Sequence, residues 1–147
     1  MVHYQHKQAG RAVILWILAM TPLILAVLAY AGQVVMLVPA AAIMLISILL
    51  FYALTVTIDE QAITLSFGIG LVRKKIALAE VVSCEITTCR WYYGYGIHYT
   101  PQGKLYNISG KMAVQLALRN GKAILVGTDE PEELCRAVRQ AAGIPQG

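Results

Sequence analysis

Between Arg11 and Asp59 the chain runs through 47 consecutive positions without a single Asp, Glu, Lys, Arg or His. Soluble domains carry roughly one charged residue in four, whereas a charge at the centre of a bilayer costs ~3 kcal/mol even on the most permissive scale. Such a run therefore predicts membrane segments. Residues 12–31, AVILWILAMTPLILAVLAYA, form one apolar stretch, and residues 34–54, VVMLVPAAAIMLISILLFYAL, form a second. Each has the ~20 residues needed to cross ~30 Å of hydrocarbon. Gly32 and Gln33 are a short break, so the two helices must fold back as an antiparallel hairpin. Pro22 and Pro39 are expected to bend the helices or shift their starts, which a bilayer tolerates when neighbouring groups satisfy the backbone. Ala40 to Ala42 would let a partner helix approach closely.

A cleaved signal peptide is the rival reading of residues 1–31, with His6, Lys7 and Arg11 as its basic end and Ala29-Tyr30-Ala31 as an A-x-A site. The apolar run exceeds the ~7–15 residues usual for a signal, and a second spanning run follows at once. The retained hairpin is therefore preferred. Lys7 and Arg11 flank the first helix, Arg73, Lys74 and Lys75 follow the second, and the turn between the helices is uncharged. By the positive-inside rule both termini face the cytoplasm, making a multi-pass protein of the inner membrane. The expected division is a cytoplasmic N-terminus at 1–11, the hairpin at 12–54 and a cytoplasmic domain at 55–147. Cys84, Cys89 and Cys135 fit a reducing compartment, since three thiols cannot all pair within one chain. They lack zinc-ligand spacing and read as buried thiols. Asn107-Ile108-Ser109 is formally a glycosylation acceptor, without meaning in the cytoplasm.

After the second helix the hydrophobic period changes to two. Thr55 to Ile58 alternates, Asp59-Glu60 reads as a turn, and Ile63, Leu65 and Phe67 alternate with Thr64 and Ser66 as a half-buried strand. Gly68-Ile69-Gly70 reverses the chain. Ile76 and Leu78 then point inward with Lys75 outward, and Val82, Cys84 and Ile86 are expected to share one face. Two strands flank Pro101-Gln102. Met112, Val114, Leu116 and Leu118 alternate, Asn120-Gly121 signals a hairpin, and Ile124 and Val126 complete the partner strand. Gly127 to Leu134 reads as a helix start, with Asp129 as cap, Glu132 reaching back and acidic side chains suiting the positive helix end. Leu134, Val138 and Ala141 share a face, and Gly143 and Pro145 end the helix.

The chain is thus expected to be an α+β membrane protein: an N-terminal transmembrane α-helical hairpin, then about seven antiparallel strands in a small barrel or sandwich capped by a C-terminal helix. The segments LTVTIDEQAITLSFGIGLVRKKIALAEVVSCE (54–85), WYYGYGI (91–97), LYNISG (105–110) and VGTDEPEEL (126–134) resemble bacterial membrane proteins carrying a pleckstrin-homology-like (bPH) domain. That resemblance implies the fold; the family has no agreed activity, so little function comes with it. Eukaryotic pleckstrin-homology domains that bind inositol phosphates use a basic first hairpin loop. Here the corresponding turn is acidic, Asp59-Glu60, and Arg73-Lys74-Lys75 sits one hairpin later.

The candidate site is RWYYGYGIHYTPQGKLYNISG, residues 90–110, which holds five tyrosines and a tryptophan and no acidic residue. As a catalytic loop it lacks parts. His98 has no sequence-adjacent carboxylate, and no G-x-S-x-G, H-E-x-x-H or paired acid is present. Gly94-Tyr95-Gly96 and Gly68-Ile69-Gly70 lack the glycine spacing and following helix of a phosphate cradle. No catalytic residue, metal or cofactor is expected, and the dispersed net charge of +4 gives no stripe for nucleic acid. Trp and Tyr favour the headgroup layer, and nearby Arg and Lys attract anionic lipid. Arg73, Lys74, Lys75, Arg90, Trp91, Tyr92, Tyr93, Tyr95 and Lys104 are therefore the expected membrane-interface or partner contacts, with Tyr99 and Tyr106 as packing residues. The function expected is a non-enzymatic inner-membrane scaffold that binds itself or another membrane protein. The alternative is a module binding anionic lipid or a small ligand on the basic-aromatic face, with no specific small molecule identified.

Overall fold

The computed structural model describes residues 2–108 and 110–145, the side chains of Val2 and Trp91 apart. Ser109, third residue of the formal glycosylation acceptor, lies outside them. The chain opens with a strand, β1 (Val2–Ala9), and enters helix α1 (Arg11–Tyr30). A 3-10 turn at Val34–Met36 leads into α2 (Leu37–Phe51). α1 and the continuous helical stretch Val34–Phe51, the 3-10 turn with α2, are long and apolar enough to span a membrane, with mean hydropathies of 2.6 and 2.8. Neither contains a buried residue. Pro39 falls in the first turn of α2, where no intrahelical N–H is lost. Pro22 lies inside α1, and beside it the Thr21 hydroxyl donates to the Ile17 carbonyl at 2.7 Å.

Among the described residues nine strands follow the order β1, β2 (Ala53–Asp59), β3 (Ala62–Phe67), β4 (Val72–Ala77), β5 (Val81–Thr88), β6 (Gly96–Thr100), β7 (Gly103–Asn107), β8 (Met112–Leu118) and β9 (Ala123–Gly127), with α3 (Pro131–Ala142) last. They form two sheets, β1-β2-β3-β4 and β5-β8-β9-β7-β6. The result is α+β, as expected from the sequence, but the sheets do not close into a barrel, and the strands exceed the expected seven. One pair is not antiparallel: β7 runs parallel to β9. Strand direction between non-consecutive elements leaves no trace in hydrophobic alternation, so the turns at Asp59-Glu60, Gly68–Gly70, Pro101-Gln102 and Asn120-Gly121 mark the antiparallel hairpins but nothing marks this pair.

The largest departure concerns residues 1–11, read from the sequence as a terminus outside a domain that begins at 55. Val2–Ala9 instead pairs antiparallel with β2, from Ala9 opposite Ala53 to Tyr4 opposite Ile58. The Gly10 amide donates to the Tyr52 carbonyl at 2.7 Å. The two helices are thus an insertion in a β-hairpin, joined to it by Gly10 on one side and Tyr52 on the other. Accordingly α2 ends at Phe51 rather than 54, because Ala53 and Leu54 already belong to β2. The strand was illegible because its inward side carries Tyr4, His6 and Gln8 rather than aliphatic residues, so the period of two is polar on both faces.

The core lies between the sheets. Leu54, Val56 and Ile58 from β2, Ile63, Leu65 and Phe67 from β3, and Ile76 meet Cys84, Val114, Leu116, Ile124 and Val126, with Leu134 and Val138 of α3 closing one side. Alternation predicts most of these. It fails in β5, where Val81 and Cys84 are buried while Val82 and Ile86 are exposed. A register shift between Val81 and Ser83 inserts an extra residue there, so Val81 turns inward and Val82 outward; Ile86 keeps the parity of Cys84 and is exposed further along the strand. All three cysteines are buried and unpaired. Burial pushes the Cys84 thiol well above its usual range, the adjacent Cys135 adding to the effect.

Candidate functional site

The two sheets have four edge strands, β1, β4, β5 and β6, and between β4 and β6 opens a groove of about 610 Å³. Lys74 and Lys75 of β4, Tyr99 of β6, Lys104 and Tyr106 of β7, and Lys122 of the β8–β9 turn line it, with Glu80 as its acidic member. The turn residues come from ordinary hairpin chemistry: the Lys122 amide donates to Asn120 Oδ1 at 2.9 Å, and Gly121 takes φ 80°. Lys104 Nζ lies 5.2 Å from the Tyr99 ring centroid and 5.6 Å from that of Tyr106. The Tyr106 phenol beside it, reinforced by Tyr99, holds the Lys104 ammonium above its ordinary range. With four lysines and one glutamate among its lining residues, the groove is a concave cationic surface that attracts carboxylate or phosphate.

The nine residues singled out from the sequence do not form one face. Lys74, Lys75 and Lys104 meet in the groove. Arg73 turns to the other end of β4, where its Nε donates to the Gly70 carbonyl at 2.5 Å. That turn abuts the end of α2, since the Ile69 amide donates to the Leu49 carbonyl at 3.2 Å. The Arg90 to Tyr95 loop also leaves from the helix-side end. The Cys89 amide donates to the Lys111 carbonyl at 2.6 Å, and neighbouring Gly110 stands against Gln8, three residues before α1 begins at Arg11.

Within this loop Arg90 Nη1 donates to the Tyr92 hydroxyl at 2.6 Å, and the Tyr92 and Tyr93 rings meet edge-on with centroids 4.8 Å apart. Tyr92 and Tyr95 are exposed. Tyr93 is not a free surface residue: it packs on the back of the second sheet against Cys89, Leu105, Ala113 and Leu125. The Trp91 side chain lies outside the described atoms. The His98 ring bonds the Tyr95 carbonyl of its own loop. Tyr106 is buried as expected, but Tyr99, expected to pack, is 84% exposed and belongs to the groove.

An acidic corner stands at the opposite edge of the first sheet. His6 Nε2 is 2.7 Å from Asp129 Oδ1, and His6 Nδ1 is 3.3 Å from Glu130 Oε2. Asp129 therefore ties the start of α3 to β1 instead of capping the helix. Thr128 Oγ1 accepts the Glu130 amide at 3.0 Å, and Pro131 at the first helical position has no N–H to satisfy. Glu132 and Glu133 follow, both exposed. Four of the chain's eight acidic residues thus fall within Asp129 to Glu133.

Beside this corner, burial raises the Tyr4 phenol from 10.0 to about 12, with Glu130, Asp129 and Glu133 adding to the shift. The folded state therefore holds the Tyr4 proton over a range where the unfolded chain has lost it. Stability from this group is complete below pH 10 and declines as pH rises towards about 12. Ultraviolet titration of wild type and Tyr4→Phe should show one tyrosine ionising late, and the variant should lose less stability across that range.

Sequence reasoning missed Lys122, Tyr99 and the His6 pairing. Lys122 had a usable signal, its place in the Asn120-Gly121 hairpin; the other two depend on pairing across the whole chain. Comparison with protein-family models, curated proteins and solved structures finds no match.

Proposed function

We propose that this chain is a non-enzymatic inner-membrane protein whose pleckstrin-homology-like domain serves as a membrane-proximal scaffold for protein interaction or self-assembly. The insertion of the apolar hairpin between β1 and β2 carries this reading. With only Gly10 and Tyr52 between strands and helices, the domain has no tether on which to wander and keeps one face towards the bilayer. The pleckstrin-homology-like assignment is supported by the two stacked sheets and the C-terminal helix packed on β5 and β8. Lys7, Arg11 and Arg73 near the helix ends favour the cytoplasmic side. The non-enzymatic reading is supported by the exposed His98 ring being engaged with the Tyr95 carbonyl of its own loop. Mass measurement in mild detergent should give a multiple of 16.0 kDa or a stoichiometric second protein. A strictly single chain with nothing bound would overturn the scaffold. The cationic groove favours a second reading, an anionic-ligand module, in which soluble phosphate or anionic vesicles would bind and salt would weaken them.

A further inference from the structure

Two oppositely charged surfaces lie at one level of the domain. Residue pairing runs across the first sheet in a single row: His6 opposite Val56, Val56 opposite Leu65, Leu65 opposite Lys74. His6 holds Asp129 and Glu130 at the β1 edge, and Lys74 enters the cationic groove at the β4 edge. The acidic corner and the basic groove therefore sit on opposite edges of one sheet at the same distance along the strands from the helices. Four strands at ~4.8 Å separate them by only ~14 Å. We infer that copies of this chain associate side by side in the membrane plane, with the Glu132–Glu133 corner of one copy seated against the Lys74, Lys75, Lys104 and Lys122 groove of the next.

The bilayer makes this more than a match of signs. The short connections at Gly10 and Tyr52 hold each copy at the same depth, so surfaces that share a level on one chain meet when two chains stand abreast. The contact is heterologous, groove to corner, and repeats around a closed ring or along an open row. Edge lysines ordinarily repel a neighbouring strand; here they would admit a carboxylate-bearing one and reject a neutral apolar one. The charge pairs set partner choice and register more than total affinity.

This rests on the self-assembly form of the proposed function, and a charge exchange tests it separately. Full-length protein in mild detergent at low salt is compared with Lys74→Glu/Lys75→Glu and with Glu132→Lys/Glu133→Lys. Asp129 and Glu130 are left intact so that the His6 contact, and with it the fold, is untouched; unchanged unfolding midpoints check this. The wild type should be multimeric and dissociate with rising salt. Each variant alone should weaken association on the order of a hundredfold by placing like charges together. An equimolar mixture of the two variants, differently tagged, should recover mixed assemblies, because the reversed groove again meets a reversed corner. Multimers that survive in both variants, or a mixture that stays apart, overturn this interface while leaving a scaffold. A monomeric wild type with a second bound protein also overturns it, and points to a foreign acidic segment in the groove. A monomeric wild type with nothing bound removes both proposals.

Discussion

Replacing Phe67 with alanine should lower the stability of the folded domain by about 3–5 kcal/mol, the usual cost of emptying a large aromatic site in a packed core. Phe67 is 1% exposed and ends β3 beside the helices. Its ring lies 5.8 Å from that of Phe51 at the end of α2 and 6.2 Å from that of Tyr106 on the second sheet. One side chain thus joins the helical hairpin to both sheets. Urea titration in detergent, followed by the reaction of the three buried thiols, reports opening of the sandwich rather than of the helices. A loss under about 1 kcal/mol would mean that the ring is not enclosed between the sheets, since ordinary surface changes fall within about half that amount.

Gly68→Ala should cost at least as much, for a different reason. Gly68 takes φ 52°, and a Cβ there would lie 2.1 Å from the Leu49 carbonyl oxygen and 2.4 Å from that of Leu50. Left-handed backbone alone costs an alanine ~1–2 kcal/mol. The clash is with helix backbone, which cannot turn aside as a side chain can, so the β3–β4 turn must lift off α2. Gly121 is the control: its φ is 80°, but nothing lies within 4 Å of the Cβ position. Gly121→Ala should show only the backbone term. Equal losses at the two glycines would contradict the contact between turn and helix end.

The elements legible in the sequence were those whose signal is local. The apolar hairpin, the Asn120-Gly121 turn, the inward Ile63, Leu65 and Phe67, and the glycine stop at Gly143 all depend on residues a few positions apart. What escaped depends on pairing between distant segments. β1 meets β2 only after 43 intervening residues, from Gly10 to Tyr52, have been looped out, and its inward Tyr4, His6 and Gln8 leave no apolar pattern. Three basic residues of the candidate site are consecutive in sequence, Arg73 to Lys75. Arg73 and Lys74 are adjacent, yet the Arg73 side chain turns back to the helix-side turn while Lys74 lines the groove. Likewise Asp129 carries every sign of a helix cap, but a histidine 123 positions away claims its carboxylate.

The insertion of two apolar, membrane-length helices into one β-hairpin, and their proposed place in the bilayer, are tested most directly by thiol accessibility in cells. His3→Cys lies on β1, Glu132→Cys on α3, and Gln33→Cys in the turn between the helices; all three positions are exposed, whereas the native thiols are buried. A membrane-impermeant maleimide added from outside should label only the cysteine at 33, and in inverted membrane vesicles should label those at 3 and 132 together. Labelling of positions 3 and 132 from opposite sides, or release of the chain from membranes by alkaline carbonate, would contradict it.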